Sequence, residues 1–124
     1  MNPSAIPGTY PYPNEPSWSR SEKTIARRVF DAALTRELQA VMQDAKQKAN
    51  QIKEPSDLWE LEGYLTQRRK DIDRRYDFRS SRLTQLFGRL LSERRINEQE
   101  LHGLREDKMK AIRSCARLSS EDAA

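Results

Sequence analysis

The residues best placed to do chemistry lie between Arg68 and Arg82. There Arg68, Arg69, Lys70, Arg74, Arg75, Arg79 and Arg82 are interleaved with Asp71, Asp73 and Asp77. Two carboxylates could in principle work as acid and base. Asp71 and Asp73, however, are two apart on a helix and point in different directions. The single His102 and the single Cys115 have no second pair with which to build a zinc site. His102 reads as an exposed residue at a helix end. No glycine-rich phosphate loop or nucleophile elbow is present, and His102 has no triad partners, so no active site is expected. The arginines themselves are the remaining candidates. A phosphate-binding helix is poorer in acid than this one, so the pattern argues against nucleic acid and for an ionic network or a carboxylate-bearing protein partner.

The element that positions these residues is a helix opening at Ser56. Pro55 blocks helix upstream, Ser56 can cap it, and Asp57 suits the positive end of the dipole. Leu58, Leu61, Leu65 and Ile72 follow at helical spacing, with Trp59 and Tyr64 beside that stripe. Trp59 follows Leu58 directly, so both cannot occupy the stripe's centre. Core packing and an anchoring role at an interface are equally open to it. Gly63 costs about 1 kcal/mol inside a helix relative to alanine. The plain reading is close helix–helix approach; the sharper one is a lost functional side chain.

The order Asp-Leu-Trp-x-Leu, Tyr-Leu, a basic cluster, Asp-Ile-Asp and Tyr-Asp-x-Arg resembles the fluorescence recovery proteins of cyanobacterial photoprotection. The resemblance runs from about Ser19 to Leu118 and is most specific from Trp59 to Arg79. It implies an all-helical homodimer without cofactor or enzymatic activity. The implied partner is the C-terminal domain of orange carotenoid protein, or a related carotenoid-binding protein, whose return from the red quenching form to the orange resting form is accelerated. The implied location is cytoplasmic, peripheral to photosynthetic membranes through the partner. Trp59 and Arg69 match the family's functional positions; Tyr76, Asp77 and Arg79 match its pattern without an assigned role. One departure stands out. The family's His-Asp pair, three and four residues after the tryptophan, is here Glu62 and Gly63. The expected partner-binding set is therefore Trp59, Glu62, Gly63 and Arg69. A diverged dimer of the same fold with a different partner is the alternative.

The rest of the chain frames this helix. Of 124 residues, 34% are charged and 35% hydrophobic, thin apolar material for one small domain. Five of the six prolines fall in the first sixteen residues, so residues 1–18 are expected to be a disordered arm. Beyond them helix breakers are sparse and strand-like alternation is absent, which predicts an all-α chain. Ser19 with Glu22 fits a capping box opening a helix to Ile52. Its stripe runs Ile25/Ala26, Val29/Phe30, Ala33/Leu34, Leu38, Val41/Met42, Ala45, Ala49 and Ile52. A rod of roughly 50 Å needs a partner along its length. Leu34, Leu38, Met42 and Trp59 are thus assigned to an interface between two copies.

Ser80-Ser81 could cap a third helix over Arg82–Arg94. Asn97 with Glu100 reads as a second capping box, ended by Gly103. Leu104–Leu118 would form a last helix, with Leu104, Met109, Ile112, Ala116 and Leu118 inward. The expectation is two long helices as a stalk and a small head of short ones, within one domain spanning residues 19–118. Residues 119–124 are expected to be a disordered tail. The net charge of +4 permits acidic partners, the lone Cys115 suits a reducing compartment, and neither a secretory signal nor a membrane span is expected.

Overall fold

The computed structural model describes residues 17–123, and those residues form four α-helices and one 3₁₀ turn without a strand. The helices are α1 (Arg20–Asn50), α2 (Pro55–Arg75), α3 (Ser80–Ser92) and α4 (Glu106–Ala123), with the 3₁₀ turn at Glu98–Leu101. The expected proline-rich arm up to residue 16 lies outside the described residues.

α1 opens as its sequence dictates. Ser19 Oγ accepts from Glu22 N–H at 3.2 Å, and Glu22 Oε1 accepts from Ser19 N–H at 3.0 Å. Trp18 departs from the expectation that placed it in the arm: it is buried, edge-on to Phe87 with ring centroids 6.4 Å apart. A large indole next to the first turn finds more apolar surface in the head than in water. The start of α2 is also corrected. Its N-cap is Glu54, and Ser56 makes no cap; Asp57 instead accepts from the backbone N–H groups of Lys53 at 2.9 Å and Glu54 at 3.1 Å. Those bonds hold the Asp57 carboxyl below its usual range.

α2 stops at Arg75, and Tyr76–Arg79 carry the chain to α3. The break has an aromatic cause. Tyr76 and Phe78 both turn onto Phe30, edge-to-face at 5.4 and 5.2 Å, which a continuous helix could not allow. α3 begins at Ser80, two residues before its expected start, and closes with a Schellman arrangement. Arg95 N–H reaches Leu90 C=O at 2.9 Å, Arg94 N–H reaches Leu91 C=O at 3.1 Å, and Arg94 sits at φ 62°. The second capping box forms as expected at Asn97 and Glu100, and Gly103 ends that turn at φ 104°.

The core is one cluster. Trp18, Ala26, Val29, Phe30 and Ala33 from the first half of α1 meet Leu83, Leu86, Phe87 and Leu90 of α3, Ile96, Leu101, and Met109 and Ile112 of α4. Gly88 lets α3 and α4 touch: a Cβ there would lie 2.9 Å from both Ala116 N and Ile112 O. α4 itself differs from its forecast at both ends. It begins at Glu106 rather than Leu104, and it continues through Ala123 where a disordered tail was expected, no glycine or proline being present to stop it. Leu118, expected inward, is exposed.

A candidate interaction surface on the stalk

Beyond Glu37 the chain has almost nothing buried until it returns to the head. No residue from Leu38 to Asn50 is buried, and α2 buries Ile72 alone. Polar ties hold the two helices together. Tyr64 Oη donates to Asp44 Oδ2 at 3.0 Å, and Lys48 Nζ stands 4.8 Å over the Tyr64 ring. Near the head the tie is far denser. Glu37 is 1% exposed and accepts from Arg68 Nη2 at 2.8 Å and Arg75 Nη1 at 3.3 Å on one oxygen, and from Tyr76 Oη at 2.8 Å on the other. Arg95 Nε adds an ion pair at 3.6 Å, and Arg75 also pairs with Glu93. Burial pushes the Glu37 carboxyl up, but the Tyr76 hydroxyl and the guanidinium of Arg68 outweigh it and hold the group ionised, below its usual range. Burial and the same carboxylate push the Tyr76 phenol well above its ordinary value.

The expected ionic network is therefore real but anchored elsewhere than the interleaved aspartates suggested. Asp71 pairs with Arg68 at 3.6 Å and Arg74 at 2.8 Å, and Asp77 with Arg79 at 3.1 Å. The buried carboxylate at its centre comes from α1. Sequence reasoning missed Glu37, and a signal was available. Glu22, Ala26, Val29, Phe30, Ala33 and Glu37 share one helical face, so both ends of the deepest stripe are acidic. Glu22 is answered by Lys108 at 3.2 Å, a pair in which both side chains are 1% exposed.

The expected partner-binding residues lie on the outer surface of α2 and do not converge on a cavity. Trp59 is 64% exposed, and Glu62, Gly63 and Arg69 are exposed as well. Trp59 and Gly63, four apart, share a face, with Glu62 beside them. Arg69 lies ten residues on, about 15 Å along the axis and toward the Leu58–Leu65 side. Among the described residues no carboxylate lies within ion-pair distance of Arg69, whereas Arg68 is committed to Glu37. No other helix of the same chain approaches Gly63: a Cβ there would meet nothing within 4 Å. Of the residues assigned to an interface between copies, Leu34 is half-buried, while Leu38 is 44% and Met42 57% exposed. Leu58 and Leu65 are exposed too, so large apolar side chains emerge from both stalk helices. Among the described residues no three His, Cys, Asp or Glu side chains are grouped to hold a metal, and no helix is long and apolar enough to cross a membrane.

Fold and surface together define an all-helical protein with large apolar side chains exposed on both stalk helices. Its relatives are specific. Residues 18–116 match the family described as photoprotection regulator fluorescence recovery protein. A fluorescence recovery protein of Synechocystis sp. is 36% identical over 104 residues, covering 84% of this chain and 95% of that one. The solved structure of the Fremyella diplosiphon fluorescence recovery protein superposes with a TM-score of 0.77 at 38% identity, covering 82% of this chain and 99% of that one. The structure of the protein from Synechocystis sp. PCC 6803 does so with the same TM-score at 36% identity and the same coverage. The chain belongs to the fluorescence recovery protein family, the photoprotection regulators.

Proposed function

We propose that two copies of this protein pair through the stalk and bind the C-terminal domain of orange carotenoid protein, speeding its return from the red quenching form to the orange resting form. The observation that carries this reading is the exposed apolar set Leu38, Met42, Leu58, Trp59 and Leu65 on a stalk with almost no core of its own. A monomer would leave that set in water, at a cost that grows with each exposed side chain. Leu34, Leu38 and Met42 line the contact between copies. Trp59 stands at its edge, where it serves both the second copy and the partner. Glu62 and Gly63 flank Trp59, and Arg69 offers a guanidinium fork to a partner carboxylate.

Acceleration imposes two physical requirements. The partner must be bound better in a state that lies toward the orange form, since equal affinity for both forms shifts nothing. The complex must also lower the barrier between them, which means binding the intermediate arrangement most tightly of all. No group on the stalk performs covalent chemistry in this scheme; the protein acts as a non-enzymatic regulator.

One observation favours a second reading, in which the dimer has diverged toward a different partner: Gly63 leaves open space where the resemblance leads one to expect an aspartate. Dark recovery of photoactivated orange carotenoid protein, followed by absorbance with and without this chain, separates the two. The first reading expects faster recovery that Trp59→Ala and Arg69→Leu abolish. Recovery unchanged by the folded wild-type dimer would overturn it.

A further inference from the structure

A second surface lies away from Trp59, in a groove of about 620 Å³ between the end of α2, the outer side of α3 and the end of α4. Its wall is arginine: Arg68, Arg74 and Arg75 from α2, and Arg82 and Arg89 from α3. Its floor is apolar, with Leu86, the half-buried Cys115 and the exposed Leu118. Gly88 makes this geometry possible, because only a hydrogen lets α4 lie close enough for Cys115 to face α3. Arg68 and Arg75 are tied to Glu37 and Arg74 to Asp71. Among residues 17–120, whose side chains are described, no carboxylate lies within ion-pair distance of Arg82 or Arg89. Seven residues apart, these two share a helix face about 10 Å from each other.

We propose that this groove docks an acidic amphipathic helix of a protein partner. Carboxylates two turns apart on that helix pair with Arg82 and Arg89, and an apolar side chain between them rests on Leu86, Cys115 and Leu118. Charge complementarity sets the sign of the partner, and the guanidinium fork suits carboxylates. The apolar floor, and Asp71 in the lining, favour a peptide over the continuous phosphate of nucleic acid. The surface goes beyond the stalk reading and does not depend on it, since Trp59 takes no part.

The test uses a fluorescein-labelled amphipathic peptide of about five helical turns. It carries glutamates two turns apart and a leucine between them, and is titrated with the full-length protein at about 50 mM salt, where exposed ion pairs are weakly screened. The expected result is a saturable anisotropy change that Arg82→Glu with Arg89→Glu weakens at least about tenfold. Lys23→Glu with Lys46→Glu, the same charge change on exposed positions of α1, and Trp59→Ala should each alter it less than about twofold. Arg82→Gln with Arg89→Gln should weaken it to a smaller extent without reversing charge, and circular dichroism confirms that every variant is folded. A second readout is local. Cys115 is the only cysteine, so its modification by a thiol reagent reports the groove directly, and the peptide should slow it. Equal weakening by both charge-reversed pairs, or binding that leaves Cys115 unprotected, overturns the proposal. So does an oligothymidylate that binds more tightly than the peptide and displaces it.

Discussion

The two halves of α1 are built from similar residues and meet opposite fates. From Glu22 to Glu37 the helix is wrapped by α3, the 3₁₀ turn and α4, and its stripe of Ala26, Val29, Phe30 and Ala33 is buried. From Leu38 to Asn50 the same helix, with Leu38, Val41, Met42 and Ala45 at the same kind of spacing, buries nothing. The head is complete within one chain, whereas the stalk is held by polar ties and presents its apolar side chains outward. Burial in this chain is thus decided by what stands opposite a stripe, not by the stripe. The junction between the regimes is Glu37, a buried carboxylate bound by groups from α2, from the link after it and from the loop after α3.

The comparison breaks most readily in the head. Phe87 is fully buried against Trp18, so Phe87→Ala should destabilise the fold by about 3–5 kcal/mol. The expected outcome in urea denaturation is a much lower midpoint with an unchanged slope. Leu38→Glu probes the other half. Leu38 is largely exposed in one chain, so the variant should leave the head's packing intact, yet it places a charge in the proposed contact between copies. Association should weaken by about 3 kcal/mol, and light scattering at micromolar concentration should fall from twice the chain's mass toward the single chain. A wild-type protein that already scatters as a single chain would remove the second copy from the scheme.

The acid limb of stability separates the regions further. Burial raises the affinity of Glu22 for a proton, but the backbone N–H groups of Arg105 and Ser19 and the Lys108 ammonium outweigh it and hold the carboxyl at about 2 rather than 4.5. Its folded value is depressed, so its contribution, up to about 3 kcal/mol, is present above pH 4.5 and disappears as pH falls toward 2. Thermal melts of Glu22→Gln should therefore converge with wild type in acid and diverge above pH 5. Parallel curves would place the acid sensitivity elsewhere, with Glu37 the next candidate.

Much of the fold was legible because local signals agreed. Ser19/Glu22 and Asn97/Glu100 capped where their spacing said they would, and Gly103 took the left-handed position. The end of α2 was not legible, since nothing in Tyr-Asp-Phe-Arg forbids helix; Phe30, far off in sequence, draws Tyr76 and Phe78 out of it. Trp18 was misplaced for a similar reason: its neighbours are proline-rich, and its partner Phe87 is nearly seventy residues away. On the stalk, Trp59 and Arg69 could be singled out by resemblance, but their exposure could not be read from a periodic pattern that the head uses for burial. Glu37 was overlooked because a lone acid among arginine-rich elements reads as solvated until three arginines and a tyrosine are seen around it.

The smallest expected change in stability is also the sharpest test of the stalk surface. A Cβ at Gly63 meets nothing, so Gly63→Asp should fit without displacing a neighbour and should remove a helix-interior penalty of at most about 1 kcal/mol. The melting temperature should rise slightly or stay put, and the dimer mass should not change. Recovery activity is where the substitution should tell. With Glu62→His alongside it, the side chains that the family resemblance leads one to expect stand beside Trp59 again, about one turn on from it on an exposed face. The restored pair should accelerate orange-form recovery more than wild type does, measured on variants confirmed as folded dimers. Strong acceleration by wild type would show that the aspartate is dispensable and that Trp59 and Arg69 suffice. A folded double variant that accelerates nothing would instead assign the exposed tryptophan to a different partner, and the arginine groove would then be the first surface on which to look for it.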